Sequence, residues 1–150
     1  AAVVYWFPCG EGRMPIRRWE NAGAEKVVLL HGGSGSWLHW ARNIPALREQ
    51  FDVYAIDLPG LGDAAMCEVE SDAVSAARAT RIALEQLFDS AFHMVAFSWG
   101  CTITAMVMKD MATRLPSSCA ALRLCVCVIV DEDSYYILVR RQCGDHDRVR

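Results

Sequence analysis

The sequence predicts an α/β domain in which a mostly parallel sheet carries helices on both faces. Three observations carry that prediction. Short apolar or β-branched runs recur at 27–30 (VVLL), 53–56 (VYAI), 93–97 (HMVAF) and 122–130, as expected for strands covered on both faces. Longer stretches with helical spacing separate them. The first three runs pass directly into HGGSGS, DLPGLGD and SWGC, turns rich in glycine and small residues. Strands that alternate with helices in this way pair in parallel, and right-handed crossovers distribute the helices over both sides.

Each element follows in chain order. VVYWF and MPIRRW form an antiparallel edge pair ahead of the parallel part. Residues 27–30 are a buried strand. Trp37, Trp40, Ile44 and Leu47 recur at helical spacing and predict a crossover helix over 37–50, leading to the second parallel strand at 53–56. Val74, Ala77, Leu84 and Phe88 share one face of a helix over 72–88. His93 to Phe97 form a third strand, Cys101 to Leu115 a third helix, and Leu122 to Val130 one more strand. Beyond Pro116 the chain changes character. Four of its seven cysteines lie there, with a mixed acidic and aromatic stretch and an Arg-rich end, and no periodicity is visible after Val130. Segment 116–150 reads as the end of a truncated domain or as an out-of-frame translation.

Composition sets outer bounds. A chain of 150 residues with 53% hydrophobic and 22% charged content builds one core and is not disordered. Its net charge of -3, from 15 basic and 18 acidic side chains without a basic stripe, offers no surface to nucleic acid or an anionic membrane. No apolar run reaches the ~18 to 20 residues of a membrane span. Seven cysteines, an odd number without a CxxC pair or zinc-type spacing, read as free thiols of a reducing compartment. The start, AAVVYWFPCGEGR, lacks the basic flank of an export signal. A cytoplasmic location without a metal or organic cofactor is the expectation.

Two motifs carry chemistry. Ala96-Phe97-Ser98-Trp99-Gly100 lies between an apolar strand and an apolar helix. A nucleophile on a strained strand-to-helix turn needs small residues two positions to either side, which Ala96 and Gly100 supply. A serine N-cap fits the same five residues. His31-Gly32-Gly33-Ser34-Gly35 also follows a strand, and its glycines leave backbone N–H groups free to face an oxyanion. A plain turn fits as well. A dinucleotide loop does not, because the third glycine of that motif would fall on Leu38, too bulky for close helix–strand packing.

VVLLHGGSGSW, DLPGLGD and HMVAFSWG, in that order and spacing, resemble the α/β-hydrolase superfamily, especially bacterial members that act on esters or on carbon–carbon bonds of diketone-like substrates. The resemblance covers about residues 20–115. It implies that Ser98 is the nucleophile and that the backbone N–H groups of Trp99 and Gly33 form the oxyanion hole. A serine at this position argues against the dehalogenase branch, in which an aspartate attacks. Ala96 stands where glycine is commoner, Cys101 where a second glycine often follows, and Asp63 where many relatives have serine.

A serine needs a histidine to take its proton and a carboxylate to hold that histidine. The family order is serine, acid, histidine, with the histidine after the last strand. Asp131 ends the 122–130 strand and His146 follows it in the right order, but only 14 residues separate them where two further strands should intervene. Asp145 and Asp147 flank His146 as in any solvated terminus. His31 reads as a residue that orients the loop, His93 as a packed strand residue and His39 as a half-exposed helix position. Asp57 and Asp63 bracket a turn that Asx-type hydrogen bonds explain. Trp37, Trp40, Met106, Met108 and Met111 read as core.

Two functions follow as expectations. One is acyl transfer from a small carbonyl substrate to water through Ser98. The other is a catalytically inactive fragment or pseudoenzyme that lacks acid and histidine, read as the first two-thirds of a hydrolase domain and prone to self-association through a bare sheet edge after the last strand.

Overall fold

The computed structural model describes residues 1–67 and 72–111 in full, and the backbone of 112–114, 122–131 and 134–141. Seven strands form one mixed sheet: β1 (Val3–Cys9), β2 (Gly12–Trp19), β3 (Glu25–Leu30), β4 (Phe51–Ile56), β5 (Phe92–Phe97), β6 (Leu122–Asp131) and β7 (Ser134–Arg141). Their order across the sheet is β1-β2-β4-β3-β5-β6-β7. The centre, β4-β3-β5-β6, is parallel. β1 and β2 form the antiparallel pair expected of VVYWF and MPIRRW, and β2 joins the sheet by pairing antiparallel with β4.

Strand alternation divides the core into two layers. Val28 and Leu30, Tyr54 and Ile56, and Met94 and Ala96 face one side, where they pack with Ala76, Ala77 and Leu84 of α2 (Ala73–Leu87) and with Ile103 and Val107 of α3 (Trp99–Arg114). Val27, Leu29, Val53, Ala55 and Val95 face the other, under Trp37, Trp40, Ile44 and Leu47. Because successive side chains on a strand point to opposite faces, a continuous run such as VVLL supplies both layers. Met106 and Met108 pack against the first layer and Met111 lies within it.

One expectation is corrected. The helix over 37–50 is not continuous: Trp37–Trp40 make a single 3-10 turn, and α1 spans only Ile44–Leu47. Pro45 lacks the N–H that a continuous helix would need and its ring crowds the preceding turn, so helix can start only beside it. The apolar spacing still seats both pieces on the sheet. In the tail, β7 pairs antiparallel with β6 from Leu124↔Arg141 to Asp131↔Ser134. SYYILVRR is rich in the β-branched and aromatic residues that suit a strand, and the open side of β6 is a template for it. β7 thus lies beyond β6 and is the outermost described strand on that side. No helix among the described residues is long and apolar enough to cross a membrane.

Candidate active site

Ser98 lies at the junction of β5 and α3 with its backbone in the left-handed region, φ 49°, and it is exposed. An N-cap serine is normally extended, so the conformation departs from the bland reading of the pentapeptide. A residue with a Cβ pays ~1 to 2 kcal/mol for this backbone, and tight packing on either side holds it there. Ala96 is fully buried. A Cβ at Gly100 would stand 2.6 Å from the Leu30 carbonyl oxygen and 2.7 Å from that of His31, so only glycine lets the first turn of α3 rest on the end of β3.

That contact brings the loop after β3 beside the elbow. A Cβ at Gly32 would stand 2.7 Å from the Phe97 ring and 3.3 Å from Ser98 Cβ, and one at Gly33 would stand 3.8 Å from Trp99 Cβ. The structure therefore brings together Ser98, Trp99 and Gly33.

His31 is fully buried. Its Nε2 accepts the Leu58 N–H at 2.9 Å, while Nδ1 lies 2.7 Å from the Gly32 carbonyl oxygen and donates to it. Burial pushes the imidazole below its ordinary range, which favours the neutral ring that this pairing needs. His31 is a latch between two loops, as its position in the HG turn suggested. Asp57, also buried, accepts from the Trp37 N–H (2.7 Å), the Asp63 N–H (3.1 Å) and Arg17 Nη1 (2.8 Å). Arg17 also binds the Asp63 carboxylate and lies over the Trp37 ring. Hydrogen bonding across the turn is thus present, and Arg17 adds an ion pair that the spacing of Asp57 and Asp63 alone does not reveal.

The remaining histidines and acids are placed as follows. His93 Nε2 pairs with Glu25 at 3.1 Å, at the end of the sheet away from Ser98. His39 is exposed on the 3-10 turn, and its Nδ1 accepts the Gly32 N–H at 3.3 Å. Asp131 ends β6, three positions beyond Val128, the partner of Phe97, so its backbone lies past the same edge of the sheet as Ser98. His146 lies outside the described residues. Leu38 is exposed and is not a packing contact. What sets this loop apart from a phosphate-binding turn is the single 3-10 turn where such a motif requires a long helix. Among the described residues, no group of three or more His, Cys, Asp or Glu is arranged to hold a metal ion, and Cys9, Cys67 and Cys101 are not in disulfides.

A parallel sheet with a strained serine where a central strand meets its helix, beside a glycine loop from the neighbouring strand, defines the class. The chain belongs to the α/β-hydrolase fold family, whose model matches residues 26–129. It is 36% identical over 92 residues to a soluble epoxide hydrolase of Corynebacterium sp. strain C12, covering 59% of this chain and 32% of that protein. Among solved structures it resembles Cfl2 of Burkholderia cenocepacia (29% identity, TM-score 0.64, 71% of this chain and 36% of that one). Naproxen esterase of Bacillus subtilis shares the fold (21% identity, TM-score 0.67, 83% and 42%). The chain spans about a third of the length of the curated relatives it matches.

Proposed function

We propose that this chain carries the nucleophile and oxyanion-binding part of a serine hydrolase that transfers an acyl group from an ester or related carbonyl substrate to water. The observation that carries the reading is the exposed, left-handed Ser98. Ser98 Oγ attacks the carbonyl carbon as its proton passes to a histidine. The carbonyl oxygen, now negative, is met by the N–H groups of Trp99 and Gly33. Collapse expels the alcohol with the proton returned from the histidine. Water then attacks the acyl-serine ester by the same route, releasing the carboxylic acid and restoring Ser98.

The nucleophile also bears on substrate class. The Corynebacterium relative is named for epoxides. Opening an epoxide with a serine oxygen would leave an ether, which water does not cleave under these conditions, so turnover would stop after one event. Attack on a carbonyl leaves an ester that water can hydrolyse. Serine at position 98 therefore favours acyl substrates over epoxides.

A second reading, an inactive fragment, is favoured by one observation: each of the three described histidines is engaged elsewhere, His31 with Leu58, His39 with Gly32 and His93 with Glu25. The test treats the chain and Ser98→Ala with a fluorophosphonate probe and a chromogenic short-chain ester. Labelling and turnover that vanish in Ser98→Ala support the hydrolase. Their absence from the parent chain supports the inactive fragment.

A further inference from the structure

Gly32 is held on both sides, through its carbonyl oxygen and through its N–H, and His39 supplies the second hold. The Gly32 carbonyl oxygen accepts from His31 Nδ1 at 2.7 Å and from the Gly35 N–H at 3.3 Å. In a trans peptide the N–H points opposite to the C=O, and no peptide bond here is cis. Fixing the Gly32 carbonyl therefore fixes the direction of the Gly33 N–H. On the other side of the same residue, the Gly32 N–H is bound by His39 Nδ1 at 3.3 Å. Gly32 has no Cβ, because the Phe97 ring occupies that space, and an unrestrained glycine is the most mobile point in a loop. With its N–H and its C=O both bound, both of its dihedrals are fixed.

The His39 ring is itself held in place. It meets the His31 ring edge-on (centroids 5.9 Å, 87°) and the Phe97 ring likewise (5.8 Å, 77°). It also fills the volume that a side chain at position 35 would need. The imidazole thus links the glycine loop to Phe97, the residue immediately before Ser98.

We propose that His39 is a positioning residue for the oxyanion hole: by accepting the Gly32 N–H it holds the Gly33 amide aimed at the reacting carbonyl. The inference rests on the assignment of Ser98 as nucleophile, and it deepens that assignment by naming what orients the loop. Misplacing a donor by about 1 Å is enough to cost on the order of 10²-fold in rate. His39 takes no proton from Ser98 in this role.

The test has two arms. In the first, amide exchange at Gly32 is followed by NMR in the parent chain, His39→Ala and His39→Asn, whose Oδ1 can replace Nδ1 as acceptor. Exchange should quicken at least ~10-fold in His39→Ala and return towards the parent rate in His39→Asn, as expected when a hydrogen bond protecting the amide is removed and restored. Equal rates in all three would overturn the proposal. In the second arm, fluorophosphonate labelling is measured against probe concentration. The probe reacts by forming a P–O bond to Ser98 as fluoride leaves, and its phosphoryl oxygen occupies the oxyanion hole. His39→Ala should lower the maximal labelling rate ~10-fold or more with little change in half-saturation, and His39→Asn should recover most of it. A maximal rate unchanged in His39→Ala would also overturn the proposal. Labelling that persists in Ser98→Ala, or is absent from the parent chain, would instead overturn the nucleophile assignment and leave the Gly32 exchange result to decide the role of His39 in the loop.

Discussion

Ser98 occupies a backbone conformation that costs stability and gives exposure. Replacing it with glycine removes the Cβ that makes φ 49° unfavourable. Ser98→Gly should therefore be more stable than the parent by ~1 kcal/mol, read as a higher urea midpoint, while losing all fluorophosphonate labelling. An unchanged or lower midpoint would mean that the turn is not strained. His31 gives the opposite kind of prediction. Its ordinary value is 6.5 and burial lowers it in the fold, so below about pH 6.5 the unfolded chain takes up a proton that the folded chain refuses. The stability due to neutral His31 is complete above that value and is lost as pH falls through it. A protonated ring would also set an N–H against the Leu58 N–H. His31→Asn should be less stable at pH 8 by ~1 to 3 kcal/mol, the cost of leaving a buried donor unpaired. Between pH 8 and 5.5 it should lose less further stability than the parent. Parallel pH profiles for the two chains would remove His31 from this role.

At the scale of elements, the contact between the first turn of α3 and the end of β3 decides whether the elbow forms. The obstacle to a Cβ at Gly100 is backbone, not a mobile side chain, so Gly100→Ala must push α3 away from the sheet. It should lower stability by ~1 to 3 kcal/mol, as overpacking does, and slow Ser98 labelling further than the stability loss explains. A variant as stable and as reactive as the parent would show that the two elements have room to spare. The sequence disclosed this element pair because strand, serine and helix are contiguous, and small residues at 96 and 100 have a local cause. It disclosed less between 37 and 50, where the apolar spacing was correct but Pro45 interrupts the backbone that the spacing implied. It was silent on the hydrogen bond from Gly32 to His39, since an aimed ring nitrogen depends on loop geometry and leaves no periodic trace. Arg17 was hidden for a related reason: its partners Asp57 and Asp63 lie 40 and 46 residues away, and only the pairing of β2 with β4 brings them together.

For the whole molecule, the matter is how the sheet divides its labour. The parallel centre gathers the carboxyl ends of β3 and β5 on one edge, where the glycine loop and Ser98 meet, the usual location of chemistry in such sheets. The flanks are antiparallel. On the β1–β2 side, β2 is tied to β4 by Arg18, which binds Asp52 through Nε at 2.9 Å and through Nη2 at 2.8 Å, with the Tyr54 hydroxyl donating to the same carboxylate at 3.0 Å. On the other side β7 is the outermost strand, and its direction has a consequence for chain travel. β6 runs towards the edge that holds Ser98, and β7 runs back, so that Arg141 ends opposite Leu124, itself the neighbour of His93. The polypeptide is thereby returned to the far end of the sheet five residues before His146. At ~3.4 Å per extended residue those five residues reach about 17 Å, roughly the length of β5 from His93 to Ser98, before the width of two strand spacings, ~10 Å, is crossed. His146 would have to travel the sheet again, fully stretched, to take the proton of Ser98. His146→Ala should accordingly leave the fluorophosphonate labelling rate within about twofold of the parent, below the ~10²-fold or more that general-base catalysis contributes, and a loss of labelling would show that the stretched route is taken. The β6–β7 hairpin is thus also a detour, carrying the chain away from the serine just after Asp131 has reached its edge.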